Sequence, residues 1–262
     1  MHLSNYHSHC SFCDGRSMPE EFVKFALAKS FRAYGISSHG PLPFETFWNM
    51  SAFDMPEYLV EISRLKDKYQ GHLEIYTGME IDYLDTTYNP SIPYFQSLPL
   101  DYRIGSVHFL PIATELCEAN MVCIDGPFSE FKQAVDTYFE GDIRKMVKRY
   151  YESSIQMVEL GGIDIVGHLD KIYMNGQRCK DFSFTAPWYR NMVNEYLEVI
   201  AGKGLIVEIN TKNLLKKQQT FPRQEYLSRM RELQIPVMVN SDCHTPDLVN
   251  DGRQEAFDML KQ

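Results

Sequence analysis

Seven short apolar runs, separated by longer amphipathic stretches, most constrain how this chain can fold. They are residues 2–7, 33–38, 73–79, 102–107, 163–167, 205–209 and 236–240. Strands alternating with helices predict an α/β protein with a mainly parallel sheet. The residues at the end of each run matter as much. The first leads into His7-Ser8-His9, the sixth runs into Asn210-Thr211, and the others end at His39, Glu80, His108, His168 and Asp242-Cys243-His244. Six of the eight histidines therefore stand at predicted strand ends, leaving out only His2 and His72. In a parallel α/β barrel that rim carries the active site, because the βα loops converge there.

Between the runs, helical spacing predicts helices near 55–70, 129–139, 143–160, 186–202 and 223–233. A further helix starts at Ser17-Met18-Pro19-Glu20, which has the form of a capping box with proline in the first turn. Asp54 is the expected cap of the 55–70 helix, and Gly202-Lys203-Gly204 a glycine-rich stop. With 262 residues, 44% of them hydrophobic, and no linker, the chain is read as one domain over 1–262. Its net charge of −9 and lack of a basic stripe disfavour a polymeric nucleic acid as partner. No apolar stretch reaches the roughly 18 residues a membrane span needs. Met1-His2-Leu3-Ser4-Asn5 has neither the basic nor the apolar part of a secretory leader, so a cytoplasmic location is expected.

The six cysteines, Cys10, Cys13, Cys117, Cys123, Cys179 and Cys243, are then expected to be free thiols. Cys10-Ser-Phe-Cys13 has the C-x-x-C form of redox and zinc motifs. It lies between histidines and Asp14, however, and no second C-x-x-C completes a zinc ribbon. Cys10 and Cys243, next to candidate ligands on an extended backbone, face away from them and are read as packing residues.

Residues i and i+2 of an extended chain share a face, so His7 and His9 can grip one ion, and Asp242 and His244 repeat the arrangement. Imidazoles mixed with carboxylates suit Zn, Mn or Fe rather than Ca or Mg. His7, His9, Asp14, His39, Glu80, His108, His168, Asp242 and His244 are too many for one tetrahedral ion and suit two or three sharing a carboxylate. Sites with several close metals polarise phosphoryl groups and generate hydroxide at neutral pH.

In that order, and with neighbourhoods such as Tyr6-His7-Ser8-His9, Ser106-Val107-His108-Phe109 and Val166-Gly167-His168-Leu169-Asp170, the set resembles the PHP superfamily (polymerase and histidinol phosphatase). It looks most like the stand-alone histidinol-phosphate phosphatase branch. The resemblance implies a distorted (β/α)7 barrel with about three divalent metals. His7, His9, Glu80 and Asp242 would hold the first, Glu80 with His108 and His168 the second, and Asp14, His39 and His244 the third. Relatives often carry a histidine where Asp14 stands. Glu80, Asp242 and His244 are the candidate catalytic residues, and Asp170 a carboxylate that orients a ligand.

The implied reaction is hydrolysis of a phosphate monoester by a metal-bridging hydroxide, with L-histidinol phosphate as the expected small-molecule substrate. Relatives bind phosphate with arginines after the fifth and sixth strands. This chain departs there, with Asp170-Lys171-Ile172-Tyr173 and Thr211-Lys212-Asn213. Lys171, Arg178, Lys212, Lys216 and Arg223 are the candidates for that task. Residues 41–44, with Phe47 and Trp48, are candidates for an apolar wall. Phosphotyrosine or another small phosphate ester is the alternative substrate. A non-catalytic metal-binding regulatory module is the alternative class. Amide hydrolysis on a related barrel would need a lysine after a strand at a point where none stands.

Overall fold

The structure, a computed structural model, describes residues 3–112 and 121–261, so His2 and Cys117 lie outside the described residues. Strands β1 (Leu3–Asn5), β2 (Phe31–Ile36), β3 (Glu74–Asp82), β4 (Tyr102–Ser106), β5 (Phe109–Pro111), β6 (Met121–Cys123), β7 (Ile165–Val166), β8 (Ile206–Asn210) and β9 (Val237–Asn240) alternate with helices. The helices are α1 (Pro19–Ala28), α2 (Met55–Lys68), α3 (Pro93–Gln96), α4 (Phe128–Tyr138), α5 (Ile143–Leu160), α6 (Tyr173–Gly176), α7 (Pro187–Lys203), α8 (Leu214–Lys217), α9 (Leu227–Glu232) and α10 (Arg253–Leu260). Seven strands form one sheet in the order β1-β2-β3-β4-β7-β8-β9. All its neighbours are parallel.

Those seven are the seven apolar runs. The sheet curls into a nearly closed barrel because its outer strands meet. Just beyond β1 and β9, Ser8 pairs with Cys243, and His9 N donates to Cys243 O at 2.9 Å. Further back, side chains replace the ladder. Tyr6 N donates to Asn240 Oδ1 at 2.9 Å, and Ser241 N to Asn5 Oδ1 at 2.9 Å. The buried Arg253 guanidinium donates to the carbonyls of Val239 and Ser4, spanning the seam.

Apolar faces of α1 and α2, with Phe22, Tyr58, Ile62 and Leu65, cover one part of the barrel against Ile36 and Met79. Phe131, Val147, Tyr151, Val193 and Leu197 of α4, α5 and α7 cover the other, against Val166 and Val207. Inside, the Tyr102 ring fills the N-terminal end of the barrel, opposite the histidine rim. Gly35 and Gly78 make room for it, since a Cβ on Gly78 would lie 2.1 Å from its Cζ.

Several local expectations are corrected. The 73–79 run is too short: β3 continues through Glu80 to Asp82, so both carboxylates sit within the strand. Ser17 does not cap α1, whose cap position is Met18 without a side-chain bond. Glu20 turns instead to Lys68, Arg64 and Tyr69. Asp54 holds the cap position of α2 but makes no capping bond. Gly204 does end α7, in the left-handed region at φ +67°. The antiparallel β5–β6 hairpin and helix α10 have no counterpart among the predicted elements. Among the described residues no helix is long and apolar enough to cross a membrane.

Candidate metal centre

Because every strand of the sheet points the same way, the residues after them gather at one rim. The Glu80 carboxylate lies at the middle. Its Oε2 is 3.1 Å from His7 Nε2, 3.4 Å from His9 Nε2 and 3.0 Å from His39 Nδ1. Its Oε1 is 2.8 Å from His168 Nε2 and 3.6 Å from His108 Nε2, and it accepts a hydrogen bond from Ser106 Oγ at 2.6 Å. Asp242 Oδ1 lies 3.3 Å from His9 Nε2. Asp14 Oδ2 lies 3.2 Å from His244 Nε2, and its Oδ1 3.9 Å from His39 Nε2. Asp242 itself takes φ +48°, a conformation that an aspartate tolerates better than most residues.

Three groups of these side chains have ligand atoms close enough to share an ion. They are His9-Asp14-His39-His244, His7-His9-Asp242 and His39-Glu80-His108. The grouping overlaps the one implied by resemblance but is not identical to it. His9 belongs to two groups, and His39 joins Glu80 and His108. His168 stands at the same place, with Nε2 3.1 Å from His108 Nε2.

The donor set fits divalent cations on grounds internal to the structure. His9 Nε2, Asp14 Oδ1 and His39 Nδ1 are buried without a hydrogen-bond partner, although each faces other ligand atoms. Such atoms normally find partners, so their convergence marks a place for an ion. The surrounding charges keep the carboxylates ionised. Burial opposes ionisation of Glu80, yet the charges of His7, His39 and His108 hold it well below the ordinary carboxylate range. Asp242 is likewise held low against its burial by Lys212 and His7. Burial, His39 and His244 push His9 down, which keeps its imidazole neutral and able to ligate.

Two buried carboxylates that do not stand at the ends of the apolar runs hold the imidazoles in place. His7 Nδ1 donates to Glu208 Oε2 at 2.8 Å, and Glu208 Oε1 accepts the backbone N–H of His168 at 2.8 Å. His108 Nδ1 donates to Asp82 Oδ1 at 2.9 Å. With Nδ1 so held, a neutral imidazole at His7 or His108 turns its Nε2 lone pair to the centre. Asp170, expected to orient a ligand, has another partner: its Oδ2 accepts the Arg223 N–H at 3.1 Å. Burial pushes its carboxyl up to about 7.

A cavity of about 400 Å³ opens onto the cluster. Lys171 and Lys212 both line it. Lys171 Nζ lies 3.4 Å from Asp125 Oδ2, and Lys212 Nζ 3.0 Å from Asp242 Oδ1. Lys216 lines an adjoining groove with Arg16, Lys212 and His244. The other two cations lie outside both. Arg178 is spread over the Phe128 ring at 4.0 Å. Arg223 lies 3.5 Å from the Phe184 centroid and pairs with Glu225 at 2.7 Å. A planar guanidinium stacks on aromatic faces, which accounts for both placements. Also lining the cavity, Trp48 stacks on Phe109 with an interplanar angle of 7° and meets the His39 ring edge-on at 4.5 Å. Phe47 also lines this wall while 96% exposed. Phe47 and Trp48 thus line the cavity, whereas residues 41–44 do not, and Phe44 packs locally on Phe109.

The C-x-x-C reading resolves into separate roles. Cys10 Sγ lies in the core, 3.1 Å from Ser38 Oγ, whereas Cys13 Sγ lies 3.6 Å from His9 Nδ1. Burial pushes the two thiols up to about 11 and about 12, removing the thiolate that redox chemistry needs. Cys243 is buried against the Tyr34 hydroxyl.

The PHP domain profile matches residues 5–212, most of the chain and the greater part of this rim. The chain belongs to the PHP domain family. A Bacillus subtilis histidinol-phosphatase is 28% identical over 258 residues, covering 91% of this chain and 92% of that protein. The PHP fold seen here superposes on a Listeria monocytogenes crystal structure with a TM-score of 0.84 at 24% identity, covering 97% of this chain and 99% of that one. A Lactococcus lactis histidinol phosphate phosphatase, crystallised with zinc, L-histidinol and phosphate, gives a TM-score of 0.76 at 22% identity, covering 98% and 92%.

Proposed function

We propose that this PHP chain, acting as one domain, hydrolyses L-histidinol phosphate to L-histidinol and phosphate, a step of histidine biosynthesis expected in the cytoplasm. The observation that carries the reading is the Glu80 carboxylate set between two groups of imidazoles at the floor of an open cavity. About three divalent ions, Zn, Mn or Fe, complete the site in this reading. His7, His9, Glu80 and Asp242 would hold one, Glu80, His108 and His168 another, and Asp14, His39 and His244 a third. Bound there, such ions would polarise phosphoryl oxygens and supply hydroxide at neutral pH.

The chain's own residues do the rest. Lys171 and Lys212 border the cavity beside the cluster, where ammonium groups neutralise phosphate oxygens as point charges rather than as the bidentate forks of arginines. Glu208 and Asp82 fix the tautomers of His7 and His108. The aromatic wall beside the cluster suits the alcohol half of the substrate. Trp48 and Phe109 offer ring faces to an imidazole, and Glu45 and Glu130 add the negative charge an ammonium needs.

Phosphate release from L-histidinol phosphate by protein reconstituted with Mn, Zn or Fe, beside phosphotyrosine and sugar phosphates, tests the proposal. A strong preference for L-histidinol phosphate is the expected outcome. Preference for phosphotyrosine would keep the metal chemistry and reassign the substrate, and no release from any ester would leave only a metal-binding module.

A further inference from the structure

The C-x-x-C segment has a use that neither the redox nor the zinc-ribbon pattern suggests. After His9 the chain winds into a tight turn, with Cys13 N and Gly15 N both donating to Cys10 O at 3.0 and 3.1 Å. A Cβ on Gly15 would stand 2.1 Å from His9 O, so the turn closes this far only because residue 15 has no side chain. The turn lays Cys13 back against His9. Its Sγ lies 3.6 Å from His9 Nδ1 and 3.4 Å from Cys10 O.

The rim histidines differ in what their second nitrogen meets. Carboxylates receive Nδ1 of His7 and His108, at 2.8 and 2.9 Å. A backbone carbonyl stands 3.1 Å from Nδ1 of His244. For His9 the partner is a thiol. A ligand needs its free nitrogen unprotonated and the other one held, and partners behind the ligands typically decide both. A thiol can take an N–H and pass its own proton to a carbonyl.

We propose that Cys13 is a positioning residue for His9. Its sulfur accepts the His9 Nδ1–H while its S–H donates to Cys10 O, and this relay keeps the His9 Nε2 lone pair turned to the cluster. Being a neutral, weak acceptor, it holds the ring without the added basicity a carboxylate would give. The inference rests on the metal reading proposed above, and the test separates the two.

Zinc affinity of wild type, Cys13→Ala and Cys13→Ser is measured by competition with a chromophoric chelator. Circular dichroism of each metal-free protein serves as the check of folding. Loss of the partner in Cys13→Ala should weaken the tightest sites roughly 10- to 100-fold. Cys13→Ser, which can still accept and donate, should restore most of that loss. A merely space-filling role would predict no such rescue. In parallel, the 15N-histidine spectrum of zinc-loaded wild type should show His9 as the Nδ1–H tautomer, a readout that needs no variant to fold. An Nε2–H tautomer, or wild-type affinity in Cys13→Ala, would overturn the inference alone. Wild type that takes up no zinc would overturn the metal reading and this inference with it.

Discussion

Glu208 shows what a single buried charge is for. It has no solvent contact, and its two oxygens accept from His7, His168 N, Asn210 and Asn240. A buried carboxylate without partners would be costly, so a glutamate in the middle of Val207-Glu208-Ile209 is itself a sign of a site. Glu208 is not among the residues that end the apolar runs because it lies inside the 205–209 run, and Asp82 lies beyond Glu80, which closes the 73–79 run. The residues beyond the strands are legible because a polar side chain closing an apolar run has no place in the core. Glu208→Gln keeps the shape and removes the charge, and should lower metal affinity or turnover about 10- to 100-fold. Chelator competition and initial rates check this, and unchanged values in both would refute the assigned role. Glu80→Ala, which removes the central carboxylate, should abolish turnover while circular dichroism stays close to wild type.

Helix α2 illustrates how elements beneath the rim hold it in register. Tyr58 reaches from α2 to share its one hydroxyl proton between Ile36 O at 2.8 Å and Gly78 O at 2.7 Å, tying β2 to β3 just before His39 and Glu80. Tyr58→Phe leaves those carbonyls short of a donor and should cost about 1–3 kcal/mol in a denaturant titration. Glu20 links α1 to α2 through Lys68, Arg64 and Tyr69, and these bonds lower its carboxyl to about 2. A carboxyl depressed in the folded state stabilises it fully above its ordinary value near 4.5 and loses that contribution as pH falls toward 2. At an exposed site the effect on stability is small, so the position of the titration is the better readout. An NMR titration should place the Glu20 midpoint well below that of free glutamate, and an ordinary midpoint would refute the link. Strand and helix existence is readable from periodicity. The N-terminal cap of α1 is not, because Glu20 has stronger partners 44 to 49 residues away than the backbone next to it.

The barrel as a whole depends on the seam between β1 and β9, since His7, His9, Asp242 and His244 all follow these two strands. Arg253 is the buried bolt of that seam, and Arg253→Met should cost about 2–4 kcal/mol through lost charge-assisted bonds to backbone carbonyls. Its helix cannot be foreseen as part of the closure, because an arginine late in the chain reads as surface charge. Likewise β5 and β6, three residues each, are too short for alternation to show. Ions held across the seam would bind only the folded chain. Chelation should therefore lower Tm, by a margin that grows with free metal as about 2.7 kcal/mol at a hundredfold excess over Kd. The most direct measurement is elemental analysis of protein reconstituted with zinc and freed of excess. About three ions per chain are expected, in keeping with the three ligand groups at the rim. Less than one ion per chain after full reconstitution would contradict it.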